Sequence, residues 1–411
     1  MTHRPDGAPV PHLGGKLAVI LFVATLFSFV IESQLTQYVQ TTLKYRHPFF
    51  IFYIVHSSFW LIFPLHLLIL TKTTNMSASA LLRGLSYAIS NQLSSIGPST
   101  RDLVFPWRKF TRFIVILTTG LTYPGLLWFA SISLASISDV TAIWNTNAFF
   151  AYIMTVKVFN LKWEPRRLMA VCLATIGTLL VVYGGSTSPA SDEQLVEAGR
   201  PVAERATSFR PSAPLVGDLL TLIASFGYGL YQVLYKKYAA LPNDPEVISE
   251  SVYEPIPGSE VGVPAETQHN PDADAFLPSD AVYPPPFGLH PNALTSAIGL
   301  CTMALLWIPI PFLHYLGAEP FAWPTDMRTF VSIGGIALSG LAFNAGFMIL
   351  LGVWGPIITS VGNLLTIVLV FFSDVFFGAG VEAVTSWGLA GSGIIVAAFG
   401  VLAYDMSVEA R

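Results

Sequence analysis

The chain has 411 residues, 53% of them hydrophobic and only 11% charged, with a mean hydropathy of +0.60 and a formal net charge of −4. An ordinary soluble domain carries roughly 25% charged residues, so this composition excludes a water-soluble fold and makes the bilayer the solvent. The two cysteines, Cys172 and Cys301, fall inside apolar runs and no Cys/His cluster has metal-ligand spacing, so neither a disulfide framework nor a structural zinc site is indicated.

Residues 1–14 form a polar tail without the charged start of a signal peptide, and the apolar run after them is too long for one, so it is expected to stay as the first helix. A membrane-spanning helix needs about 20 mostly apolar residues. Spans are expected near 16–39, 48–70, 111–133, 138–157, 166–184, 215–236, 291–315, 329–350, 356–378 and 386–404. The fold class is all-α integral membrane with ten transmembrane helices, arranged as two inverted five-helix repeats over 15–184 and 215–404. Three polar connections interrupt it: 71–110, Ser-rich and basic; 185–214, of mixed charge; and 238–290. Between Leu241 and His290 there are nine Asp/Glu, ten prolines and no Lys or Arg, a composition that buries too little apolar area to fold by itself. It reads as a disordered cytosolic tether. With residues 405–411 as a second cytosolic tail and both termini inside, fifteen of the 21 basic residues fall on the cytosolic side and six outside, as the positive-inside rule requires.

The repeat rests on the fourth and ninth spans. Thr141-Ala-Ile-Trp-Asn145 and Thr359-Ser-Val-Gly-Asn363 each precede an apolar run, a polar turn with an acid (Glu164, Glu382) and a last span centred on a glycine (Gly177, Gly400). Five helices, an odd number, separate the copies, so the second enters the membrane from the opposite side. That is the inverted-topology repeat of secondary transporters.

Several stretches carry a likeness: Leu35-Thr-Gln-Tyr38 followed by Tyr45-Arg-His-Pro48-Phe-Phe-Ile-Phe-Tyr53; Gly217-Asp218-Leu-Leu with Tyr228, Tyr231, Val233, Leu234, Lys236 and Lys237; and Thr359-Ser-Val-Gly-Asn363-Leu-Leu-Thr366-Ile. Together with the helix order they resemble the EamA-type, ten-span drug/metabolite transporter superfamily, and more narrowly the subfamily F-like branch of solute carrier family 35. The resemblance implies a fold and a transport class rather than a ligand.

Ionisable groups inside a span are costly and generally face the bundle interior or a cavity. Glu32 lies in the outer half of the first span, followed by Gln34, Gln37 and Tyr38. Its carboxyl is a candidate for proton coupling or substrate contact, and equally for a structural hydrogen bond. Asn145 and Asn147 in the fourth span, Asn344 in the eighth, and Asn363 with Thr366 in the ninth are the other deep polar groups, readable as cavity lining or as interhelical glue. Tyr228, Tyr231 and Gln232 lie in the sixth span, roughly the counterpart of Glu32 in the first, where stacking on a ring-bearing solute and plain packing are both open. His56, His66 and His314 read as packing residues, and Lys236 and Lys237 as inside-facing anchors.

No Walker lysine loop, His-Glu-x-x-His or Gly-x-Ser-x-Gly occurs. The expected function is secondary transport of a small polar organic metabolite by alternating access, proton-coupled or as an exchanger; the alternatives are a non-transporting membrane scaffold or an intramembrane enzyme. The expected partners are a small-molecule solute and the lipid bilayer, with proton coupling and a homodimer both open. No cofactor, metal or nucleic acid is expected, and an endomembrane location, Golgi or vacuole-like, fits.

Overall fold

The computed structural model describes residues 15–74, 76–93, 105–132, 134–135, 137–184, 213–241, 281–377 and 385–409. Among the described residues all regular structure is helical: α1 Gly15–Thr41, α2 Pro48–Ser58, a 3-10 turn Phe59–Leu61, α3 Ile62–Thr73, α4 Ala78–Leu93, α5 Trp107–Ile132, α6 Ile137–Asn145, α7 Asn147–Val158, α8 Pro165–Gly184, α9 Pro214–Tyr238, α10 Leu289–Leu305, α11 Pro309–Tyr315, α12 Met327–Asn363, α13 Leu365–Phe377 and α14 Ser386–Glu409. The tail 1–14, most of 185–214, residues 242–280, Asn75 and Glu382 lie outside the described residues, as do the side chains of Gln37, Asp139 and Asp374.

A helix occupies each of the ten apolar stretches. By length and composition, six described runs can cross a membrane, or seven when α10 and α11, which meet at a bend of 41°, count as one. This marks a multi-pass membrane protein. The tally is lower than the ten expected from the sequence, and three local features account for runs that merge or fall short. The run Met327–Ser373 has 47 residues, which at helical rise spans roughly 70 Å, more than twice a bilayer core of about 30 Å. It is interrupted at Gly355, whose φ of 73° and ψ of 173° no helix contains. The α6–α7 stretch is interrupted at Thr146, and Asp218, Lys236 and Lys237 lower the hydropathy of α9.

Prolines shape the bundle through the carbonyls they leave without a helical donor. The Trp60 carbonyl would accept from the amide of residue 64, but that residue is a proline; Ser296 on α10 donates in its place at 2.5 Å. Such crosswise repair is what lipid demands, because no water is there to do it.

Small residues set the close crossings, as membrane packing favours. The antiparallel pair α1–α12 meets where Gly340 faces Glu32 and Val55, and Gly346 faces Thr25. The pair α5–α9 meets where Gly120 faces Tyr231 and Gly227 faces Pro124. Helices α8 and α14 pack along their lengths, with Gly177 against Gly391. The expected equivalence of Gly177 with Gly400 does not extend to packing, since nothing approaches Gly400. Helices α7, α8, α13 and α14 and the last arm of α12 share one apolar core around Tyr152, Val171, Val361, Leu364 and Ile395.

The polar connection expected at 71–110 holds a helix, α4. Its apolar positions Ala80, Leu81, Leu85, Ala88 and Ile89 are buried along one face, a helical spacing hidden in a Ser-rich composition. This helix grips both described ends of the acidic segment: Gln92 Nε2 donates to the carbonyls of Tyr238 (2.8 Å) and Ala240 (3.1 Å), Val282 N donates to Ala80 O at 3.1 Å, and Tyr87 meets Tyr283 edge-on at 5.1 Å. Residues 281–288 are therefore held rather than part of a free tether. At the other end of the bundle, residues 316–326 reach the α1–α2 corner. Glu319 accepts from the amides of Phe49 and Phe50 at 2.9 Å each, and Tyr45 donates to Ala322 O at 2.7 Å.

Candidate functional site

Aromatic rings from five helices form a strip across the middle of the bundle. Trp128 (α5) neighbours Trp144 (α6) at 6.2 Å; Trp144 stacks on Tyr228 (α9) at 5.1 Å; Tyr228 faces Phe347 (α12) at 6.3 Å. Phe347 continues to Phe343 at 5.5 Å, and Phe343 to Phe29 of α1 at 5.0 Å. Trp128, Trp144, Tyr228 and Phe29 are only half-buried. Tyr231 is buried and donates towards Met348 Sδ at 4.0 Å.

Glu32 stands one turn beyond Phe29 on α1, so the strip ends at a carboxyl. It is half-buried against Gly340, and no described residue hydrogen-bonds or ion-pairs with the carboxylate. Asn344, a turn along α12, donates to the Gly340 carbonyl at 2.9 Å. A carboxyl and an amide thus converge on one glycine beside the aromatic strip, an arrangement able to orient a polar group of a solute whose ring stacks on Phe29 or Tyr228.

A second polar group lies where α7, α9 and α12 meet. Asn147 and Gln232 approach at 3.5 Å, and Ser360 donates to Gln232 Oε1 at 2.6 Å; all three are at least nine-tenths buried. The chain of bonds ties α7, α9 and α12 together. Below it, Lys236 Nζ donates to the carbonyl of Gly352 at 2.5 Å. Lys236 is 2% exposed and is no surface anchor. Lys237 fits that description instead: it is exposed, with its amine near Val158 O at 3.4 Å and 5.5 Å from the centre of the Tyr238 ring.

The remaining candidates scatter. Asn145 is buried and donates to Thr141 O of its own helix at 2.7 Å. Asn363 is half-buried and its carbonyl accepts from Thr366, itself buried, at 2.6 Å. Both asparagines end a helix at a break rather than pointing a bond into a shared cavity. Gln34 is half-buried on α1, and Tyr38 is 39% exposed, away from the buried strip. Of the histidines, His56 stacks on Phe52 at 3.8 Å and His66 bonds Asn292 at 2.8 Å.

Sequence reasoning missed Trp144, Phe347, Ser360 and the role of Lys236. Trp144 was visible within the repeated Thr-x-x-x-Asn segment. Gly352-x-x-Gly355-Pro356 marked a helix break, but nothing in the sequence joined it to Lys236.

Neither the protein-family models nor the curated proteins compared with the chain match it. Among solved structures, a crystal structure described only as that of a protein aligns over 94% of this chain and 96% of its own, with a TM-score of 0.54 and 14% identity. That likeness is one of fold alone.

Proposed function

We propose that the chain is a secondary transporter of a small, polar, ring-bearing organic solute, built from ten spans as two inverted five-helix repeats and resembling the drug/metabolite transporter superfamily. The observation that carries this reading is a backbone irregularity that recurs in register. Thr146 N bonds Ile143 O (3.1 Å) and Phe149 N bonds Thr146 O (3.0 Å); Leu364 N bonds Val361 O (3.0 Å) and Ile367 N bonds Leu364 O (3.1 Å). A constant 218 residues separates Thr141 from Thr359, Asn145 from Asn363 and Thr146 from Leu364. Two unrelated helices have no reason to tighten at matching positions.

The packing supports the same symmetry. If span n of one half corresponds to span n of the other, the α1–α12 pair maps onto the α9–α5 pair, the packing of α2 on α12 maps onto that of α10 on α5, and the α8–α14 pair maps onto itself. Inverted repeats of this kind give two equivalent ways of leaning one half on the other around a central site. The aromatic strip and Glu32 lie at that centre, with residues drawn from both halves. The end bearing α4 carries Lys72, Arg83, Arg108, Lys109, Lys157, Arg166, Arg167 and Lys237, which favours it as cytosolic.

The test is a panel of neutral and zwitterionic metabolites, ring-bearing and not, scored by thermal shift on the purified chain and then by uptake and counterflow in proteoliposomes. Ring-bearing solutes are expected to stabilise it. Tyr228→Ala should weaken their binding by about threefold to tenfold, the worth of one aromatic contact. Glu32→Gln keeps the shape of the carboxyl but cannot exchange a proton. Concentrative uptake is expected to fail in that variant while counterflow persists; accumulation at the parent's rate would remove Glu32 from coupling. A panel without any thermal shift or counterflow would sink the transporter reading. A glycan at Asn75 would reverse the orientation.

A further inference from the structure

Under the repeat, the contact between α9 and α12 has a counterpart, the contact between α1 and α5. The two are unequal. Helices α9 and α12 converge towards the α4 end, with Tyr228 facing Phe347, Tyr231 reaching Met348 and Lys236 bonding Gly352 on successive turns. Among the described residues α1 and α5 make no comparable packing. One end of the central strip is closed between these helices and the equivalent closure at the other end is not made.

Lys236 sits at the last of these contacts, and its partner explains why a lysine is there. The Gly352 carbonyl would normally accept from the amide of residue 356, but that residue is Pro356, which has none. Gly355, in a left-handed conformation at φ 73°, opens the helix at the same point. A carbonyl stripped of its helical donor inside a membrane protein must find another, and the amine of Lys236, 2% exposed, provides it at 2.5 Å.

We propose that Lys236 is the latch of the α4-end gate: by capping the Gly352 carbonyl that Pro356 leaves unserved, it holds the break in α12 against α9, and release of this bond lets that end open. The proposal rests on the alternating-access reading. Lys236 is a positioning residue, since it acts through α12 and not on the solute. Ionisable groups paired with backbone carbonyls in membrane segments commonly mark such pathways.

The experiment reads accessibility rather than transport. In the full chain with Cys172→Ala and Cys301→Ala, single reporters Thr359→Cys, just past the break, and Gln34→Cys, on the outer half of α1, are labelled with a hydrophilic maleimide in detergent. Lys236→Met, which keeps the length and loses the donor, should raise the labelling rate at 359 on the order of tenfold and lower it at 34, the effect of one lost buried bond on a two-state balance. Lys236→Arg keeps a donor and should stay near the parent. Pro356→Ala, which returns an amide to the Gly352 carbonyl while Lys236 is intact, should move both reporters the same way by less. It decides the matter if Lys236→Met does not fold. Unchanged rates at both reporters in a folded variant overturn the latch, and so does a rise at both, which is what loss of a merely structural contact would give. Because no solute is involved, a chain that transports nothing still reports on the latch, and a failed latch leaves the uptake result standing.

Discussion

The two ends of the bundle are closed over by connections of different chemistry. Helix α4 reaches over the junction of α9 and α10, and residues 316–326 reach over the junction of α1 and α2. The first cap is a helix that packs an apolar face and offers Gln92 to two carbonyls. The second is a short loop that places the Glu319 carboxylate on the two amides opening α2, where a helix N-terminus favours negative charge. Under the proposed inverted repeat, the symmetry would set where each connection reaches and leave the means open. The end with the longer connection could afford a helix; the other uses a single carboxylate.

Substitutions that strike one cap and spare the other sharpen this contrast. The largest effect is expected from Gly84→Val. A Cβ on Gly84 would fall on the Val282 carbonyl, so α4 must lift from residues 281–283, at a cost of about 2–3 kcal/mol. Thermal unfolding should drop, and protease should cut near 242–280 faster, with Glu319 contacts intact. Glu319→Ala removes the acceptor for two amides and should cost about 1–2 kcal/mol; a crosslink between positions 45 and 322 would report its loss, and an unchanged melting curve would deny the cap any weight. Gln92→Leu should cost about 1 kcal/mol, two bonds to exposed or half-exposed carbonyls being worth little more.

A pH effect separates the ends without mutation. Burial, and secondarily the Glu319 carboxylate, pushes the Tyr45 phenol from the usual 10.0 up to about 12. Between these values the unfolded chain gives up the proton and the folded one keeps it. The contribution is thus fully present below pH 10 and is lost as pH rises towards 12. Stability of the Glu319 cap should fall over that window in the parent and not in Tyr45→Phe, as read by phenolate absorbance and melting. The smallest effect is expected from replacing residues 245–280 with a Gly/Ser linker, which removes no described contact; extending the replacement to 285 removes Val282 and Tyr283 and should lower the melting temperature. Equal behaviour of the two linkers would mean that the α4 grip contributes nothing.

Much of the helical order was legible because apolar stretches of spanning length cannot be anything else in lipid. Expected spans such as 16–39 and 386–404 lie within α1 and α14. The Thr-x-x-x-Asn pair was legible too, and its meaning changed: Asn145 and Asn363 mark helix breaks, which is a backbone property that side-chain chemistry alone does not reveal. Helix α4 was obscured since an interfacial helix needs only one apolar face, and serines elsewhere on it dominate the composition. The aromatic strip was hidden more deeply. Its six rings come from five helices, and of these only Tyr228 was singled out in the sequence, as a ring able to stack on a solute.

The sequence by itself determined the solvent and the order of the helices, because hydropathy acts locally along the chain. Only the tertiary structure decided what each buried polar group does. Lys236 and Lys237 are adjacent and chemically identical, yet one faces Gly352 inside the bundle and the other lies exposed beside Tyr238. The difference comes from the helix turn of about 100° between them and from a proline more than a hundred residues away, whose missing amide leaves one carbonyl in need of a donor.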